Sequence, residues 1–198
     1  MWFYDVMLWG QMYFLKILLC ISMLLVVSNT ALAAMSIDDA YAAIPKDRVT
    51  YDPARSKLDD YHQQYFDALF GLVDGAVVIR VELLDKMQNR KNYDISYYRD
   101  FYNIIIDDIA SLPAPYDIYQ TQNLIIGALR DQWRFFEEWH AAQGYAREGF
   151  MNYSSHPAVR QSSMKLIQAY NTYMQKFPRE SSYNKKAFYT HLCALDFI

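Results

Sequence analysis

Two residue pairs in this chain have the spacing of metal half-sites. Glu137 and His140 form an E-x-x-H pair inside FFEEWH, and Asp59 and His62 form a D-x-x-H pair inside LDDYHQQYF. Residues three apart share one face of a helix. Helical bundles assemble carboxylate-bridged metal centres from such pairs, together with a Glu from each of two further helices at the same height. Segment 157–176 contains no Asp or Glu, so one ligand helix is missing. Height also opposes a shared site. Counting through the loops of an up-down arrangement separates His62 from His140 by roughly 34 residues, about 50 Å at 1.5 Å per residue. Asp59, His62, Glu137 and His140 are therefore rejected as a metal site, and no cofactor is expected. His140 on the Trp133/Phe136 stripe reads as a core or half-buried histidine, and His62 beside Tyr65 and Phe66 reads likewise.

A second chemical possibility lies in GLVDGAVVIRVELL, residues 71–84, which is apolar nearly all round yet carries Asp74 and Arg80. An unpaired buried charge costs several kcal/mol, so both need partners. With a hairpin turn near Asn92, Arg80 faces the level of residue 104, which predicts an ion pair one turn away with Asp107 or Asp108, Asp107 being favoured. The same counting about Pro113 sets Arg130 near Asp100. Such pairs have two readings. One is a device that fixes helix register. The other is a polar site in an apolar wall that holds a ligand, with Asp74, Arg80, Asp107, Arg130, Trp133 and His140 as its candidate residues.

Other chemistry has less support. No G-x-S-x-G, H-E-x-x-H, P-loop or G-x-G-x-x-G motif is present. His191 and Cys193 are two apart, so on a helix they point about 200° from each other and form no chelate. His156 precedes Pro157 in a usual capping neighbourhood. Cys193 reads as a small buried hydrophobe, or as the site of an intermolecular disulfide joining two copies into a homodimer. The chain is therefore read as non-catalytic.

The elements that must position these residues are helical. Ser36 and Asp39 make a capping box for a short helix that Pro45 ends. Asp52 with Pro53 opens a long helix running to about Arg90. Further helices span about 94–112, ended by Pro113, about 116–148, about 157–176, stopped by Pro178, and about 182–197. No period-two strand pattern occurs. The expected fold is all-α, an antiparallel up-down bundle of four to five principal helices in one domain over residues 34–198.

Residues 1–33 read as a secretory signal. Ile17–Val27 is an apolar run of 11 residues, preceded by Lys16 and followed by an A-x-A cleavage site at Ala31 and Ala33. It falls short of the roughly 20 residues that span a bilayer. Residues 1–11 fit no signal n-region, and Met12 makes the better start. The rival reading is an uncleaved anchor from Val6 to Val27, which would hold Lys16 near the bilayer centre at about 2.5–3.5 kcal/mol. The compartment implied is the periplasm or outside the cell, with no stable span after cleavage. A net charge of −3 without a basic cluster argues against nucleic acid. Tyrosine is abundant, at 18 residues, and suits a core, a pocket or a partner-binding surface. The sequence thus favours an exported protein-interaction or accessory module, acting on another periplasmic protein. The alternative is a carrier for a small ligand or metal.

Overall fold

A computed structural model describes residues 35–44, 48–142 and 145–197. The expected signal over residues 1–33, its cleavage site and the alternative start at Met12 lie outside the described residues. Met35–Ile198 forms one compact unit. Its elements are α1 (Ile37–Ala42), a 3-10 turn (Pro53–Arg55), α2 (Asp60–Gln88), α3 (Ile95–Ser111), α4 (Tyr119–Ala141), α5 (Tyr145–Gly149), a second 3-10 turn (Tyr153–Ser155), α6 (Pro157–Lys176) and α7 (Ser182–Leu195). No strand occurs among the described residues, and the class is all-α.

Local chemistry sets most boundaries. The Ser36 hydroxyl caps α1 by accepting from the Asp39 amide; it also donates to the Asp39 carboxylate, a side-chain bond in place of the amide-to-carboxylate bond of a capping box. Asp94 caps α3 and Ser181 caps α7. His156 caps α6, with Pro157 in the first turn. Two boundaries differ from expectation. Asp52 and Pro53 start only a single 3-10 turn, and α2 begins at Asp60 with Asp59 as its cap. The fourth helix stops at Ala141, where Ala142 turns to an extended conformation, and Tyr145–Gly149 forms a separate short helix.

Contacts between helices give their directions. Tyr98 of α3 donates to Glu82 of α2 at 2.7 Å, and a Cβ on Gly75 would meet Ile105. Numbers rise on one helix as they fall on the other, so α2 and α3 are antiparallel. Arg99–Glu137 and Gln122–Ile109 give the same sense for α3 and α4. Arg134–Gln161 and Glu138–His156 do so for α4 and α6. Tyr170–Tyr189 and Ser163–Asp196 do so at α6 and α7. By contrast α7 runs with α2: Phe188 meets Phe66, His191 meets Asp74, and Ala194 meets Arg80. No helix among the described residues is long and apolar enough to cross a membrane.

Aromatic rings fill the contact between α2, α6 and α7. Phe66 lies within 6 Å of the ring centroids of Tyr51, Tyr65, Phe70, Tyr173, Phe177 and Phe188. Buried glutamines tie other helices together. Gln132 of α4 donates to Ser162 of α6 at 3.1 Å and to the Leu195 carbonyl of α7 at 2.7 Å. It also accepts from Tyr102 of α3. Gln122 donates to the last carbonyls of α3, at Ile109 and Leu112, which satisfies acceptors that a helix end leaves open.

Candidate functional site: the two charges of helix α2

Asp74 and Arg80 are both buried, as their apolar surroundings demand, at 5% and 4% exposure. Arg80 meets neither Asp107 nor Asp108, the partners expected from α3. Asp107 and Asp100 are exposed, since the inward face of α3 carries Tyr98, Tyr102, Ile105, Ile106 and Ile109. The hairpin is also tighter than the counting assumed: residue 82 stands opposite residue 98, so residue 80 stands near residue 100. Partners come instead from α7 and from the segments before α2.

Asp74 anchors a closed network. Its Oδ1 accepts from the Tyr41 hydroxyl at 2.6 Å and from His191 Nδ1 at 2.7 Å, and its Oδ2 accepts from Arg48 at 3.0 Å. Arg48 continues to Asp38 at 2.8 Å. Burial opposes ionisation of Asp74, but these three donors outweigh it and hold the carboxyl below its ordinary range. Burial and the neighbouring carboxylate push the Tyr41 hydroxyl far above its own. His191 is 2% exposed and stacks on Phe70 at 4.5 Å. Its Nε2 accepts from the Tyr51 amide at 3.2 Å, so the ring is the neutral tautomer with its proton on Nδ1. An Asp–His pair suggests general-base chemistry, but a base needs an open nitrogen within reach of substrate. Here the amide of Tyr51 occupies that nitrogen. The arrangement joins α1, the lead-in segment 48–52, α2 and α7.

Arg80 is different. Its Nη2 donates to the Ala194 carbonyl in the last turn of α7 at 2.7 Å, where a cation suits the helix end. Its guanidinium carbon lies 5.2 Å from the Phe197 ring centroid. Its Nε has no acceptor among the described residues. Burial pulls the group below its ordinary value, yet a guanidinium stays charged in proteins. Arg80 lines a pocket of about 410 Å³, whose walls include Ile44, Leu84, Asp85, Tyr153 and Phe197. That volume falls within the ordinary range of small-molecule sites.

The remaining candidates are scattered. Arg130 is exposed and no ion pair joins it to Asp100 among the described residues. Trp133 is half-buried against Tyr102 and beneath Arg99. His140 is exposed, with Nδ1 3.0 Å from the Tyr93 hydroxyl. It was expected to be at least half-buried. The buried stripe of α4 runs through Ile125, Leu129, Gln132, Phe136 and Trp139; at about 100° per residue, position 140 lies roughly 60° from its centre, on the side of half-buried Trp133, and in the last turn of the helix. Glu137 pairs with Arg99 at 3.4 Å. Cys193 is half-buried and belongs to the wall of the Arg80 pocket.

His62 is half-buried, as expected, and lies between two carboxylates. Nδ1 is 2.8 Å from Asp59 and Nε2 is 3.2 Å from Asp117, with the Phe177 ring at its edge. Burial alone would lower its pKa, but the two bonded carboxylates prevail and raise it above the ordinary value near 6.5. The bridge ties the start of α2 to the loop before α4. A raised histidine pKa adds stability that is fully present below about 6.5 and is lost as pH climbs through the higher folded value. Urea midpoints at pH 5.5 and pH 8.5 should therefore differ more for the native chain than for His62→Gln. Equal differences in both proteins would show that the bridge contributes nothing.

No family model matches the chain, and no curated protein or solved structure matches it either. The site is thus read from its own chemistry. Sequence reasoning missed His191, Tyr41 and Arg48 as partners of Asp74, and Tyr153 and Phe197 as walls of the Arg80 pocket. The available signal for His191 was a polar ring on the apolar C-terminal helix, which a buried acid elsewhere could use.

Proposed function

We propose that the chain is a non-catalytic binding protein, working after export, whose ligand site is the pocket at Arg80. The observation that carries this reading is a buried cation, whose Nε has no acceptor among the described residues, in the wall of a pocket of small-molecule size. A buried donor left without an acceptor costs about 1–3 kcal/mol, and more for a charged group. A ligand whose acceptor displaces the side chain enough to reach Nε removes that cost. The closed Asp74 network supports a binding role over proton transfer, because its one imidazole has no open nitrogen.

Native mass spectrometry of protein purified from its own host tests this. The expected spectrum shows the chain plus a small molecule that leaves on denaturation. Arg80→Met should yield the bare chain, still folded, since replacing a buried charge by an apolar side chain of similar volume is often tolerated. A bare mass for the native protein would sink the reading.

A second reading, the protein-interaction module, draws on α6 and α7. Met164, Ile167 and Tyr189 are 61%, 55% and 48% exposed, and the last two border a shallow apolar groove with Leu166, Tyr170 and Leu192. Light scattering would detect a homodimer, and Ile167→Glu would then disperse it.

A further inference from the structure

The charge balance of the Arg80 pocket names a ligand class, in an inference that rests on the binding reading above. Three charged side chains line the pocket: Arg80, Asp85 and Asp196. The carboxylates already have donors. Asp85 accepts from Lys91 and from Asn89, each at 2.7 Å, and Asp196 accepts from the Ser163 hydroxyl at 2.7 Å. Among the described residues Arg80 Nε has no hydrogen-bond acceptor, and Asp196 is the carboxylate whose charge reaches the guanidinium. What the site is missing is therefore an acceptor. A guanidinium pairs best with a planar anion such as a carboxylate. The two acidic side chains in the same lining disfavour a second negative charge on the ligand. Ala43, Ile44, Val81, Leu84 and Phe197 make the rest of the wall largely apolar. We infer that the pocket takes a small monocarboxylate with an apolar body, its carboxylate on Arg80 and its body against Leu84, Ile44 and Phe197.

Calorimetric titration of the full chain, stripped of bound small molecules by dialysis from mild denaturant and refolded, provides the test. The probes are benzoate, hexanoate, succinate and inorganic phosphate. Benzoate and hexanoate should bind, and succinate and phosphate should bind at least tenfold more weakly. Arg80→Met should weaken benzoate at least tenfold. Leu84→Trp keeps Arg80 and fills the pocket, so it should do the same even if Arg80→Met folds poorly. Succinate or phosphate binding as tightly as benzoate would overturn the monoanion class. Benzoate binding unchanged in Leu84→Trp would remove the ligand from this pocket. Failure of benzoate and hexanoate, beside a native spectrum that still shows a bound neutral or cationic molecule, would overturn the carboxylate and leave the binding reading standing.

Discussion

Asp74→Ala is expected to destabilise the protein by about 3–5 kcal/mol, the cost of stranding the partners of a buried charge. The substitution leaves Arg48, the Tyr41 hydroxyl and His191 Nδ1–H without the acceptor they share. For a domain of this size each kcal/mol moves the melting temperature by about 2–4 °C, so a fall on the order of 10 °C should be seen by circular dichroism. The loss has a pH signature. A depressed carboxyl pKa adds stability that is present above the ordinary value near 3.9 and is lost as pH falls through the lower folded value. The native chain should thus lose stability steeply at the acid end, and Asp74→Ala should have a flatter acid limb. A change under about 1 kcal/mol would mean that water replaces Asp74 without cost, and the network would not be holding α7 to α2.

Phe66→Ala should cost about 3–5 kcal/mol, the range for truncating a fully buried phenylalanine. Phe66 is wholly buried among six aromatic rings contributed by α2, α6, α7 and the lead-in. Large rings fixed from several elements cannot collapse into the space of one, so most of the cavity should persist. Chemical denaturation should show a lower midpoint with an unchanged slope. Phe66→Leu, which retains most of the volume, should recover more than half of the loss. If the alanine and leucine proteins were equally stable, the cluster would be loosely packed and the ring contacts incidental.

The all-α class was legible because caps and breakers act locally: Ser36, Asp94, Pro157 and Pro178 fall where the helices begin and end. The burial of Asp74 and Arg80 was legible for a similar reason, since their own helix is apolar on every side. Their partners were not. Counting along a hairpin reaches only the next helix, and it placed Arg80 opposite an acid on α3. The actual partners sit 117 and 114 residues away on α7, beyond any local rule. His140 failed more simply. The stripe through Trp133, Phe136 and His140 follows the margin of the buried face, whose centre runs through Gln132, Phe136 and Trp139. The second carboxylate beside His62, Asp117, came from a loop that the helical reading gave to α4.

The order in which the chain is made gives the α7 contacts a further meaning. Tyr51, Asp52, Asp74 and Arg80 all complete their bonding with residues of the last helix: His191, Asn184 and Ala194. At about 5–20 residues per second of synthesis, on the order of ten seconds separate the appearance of Asp74 from that of His191. Throughout that interval Arg80 lacks the carbonyl of Ala194, and Asp74 has only Arg48 and Tyr41, made before it, to meet its charge. The native arrangement is therefore committed only after synthesis is all but finished, with the C-terminal helix acting as the final clasp.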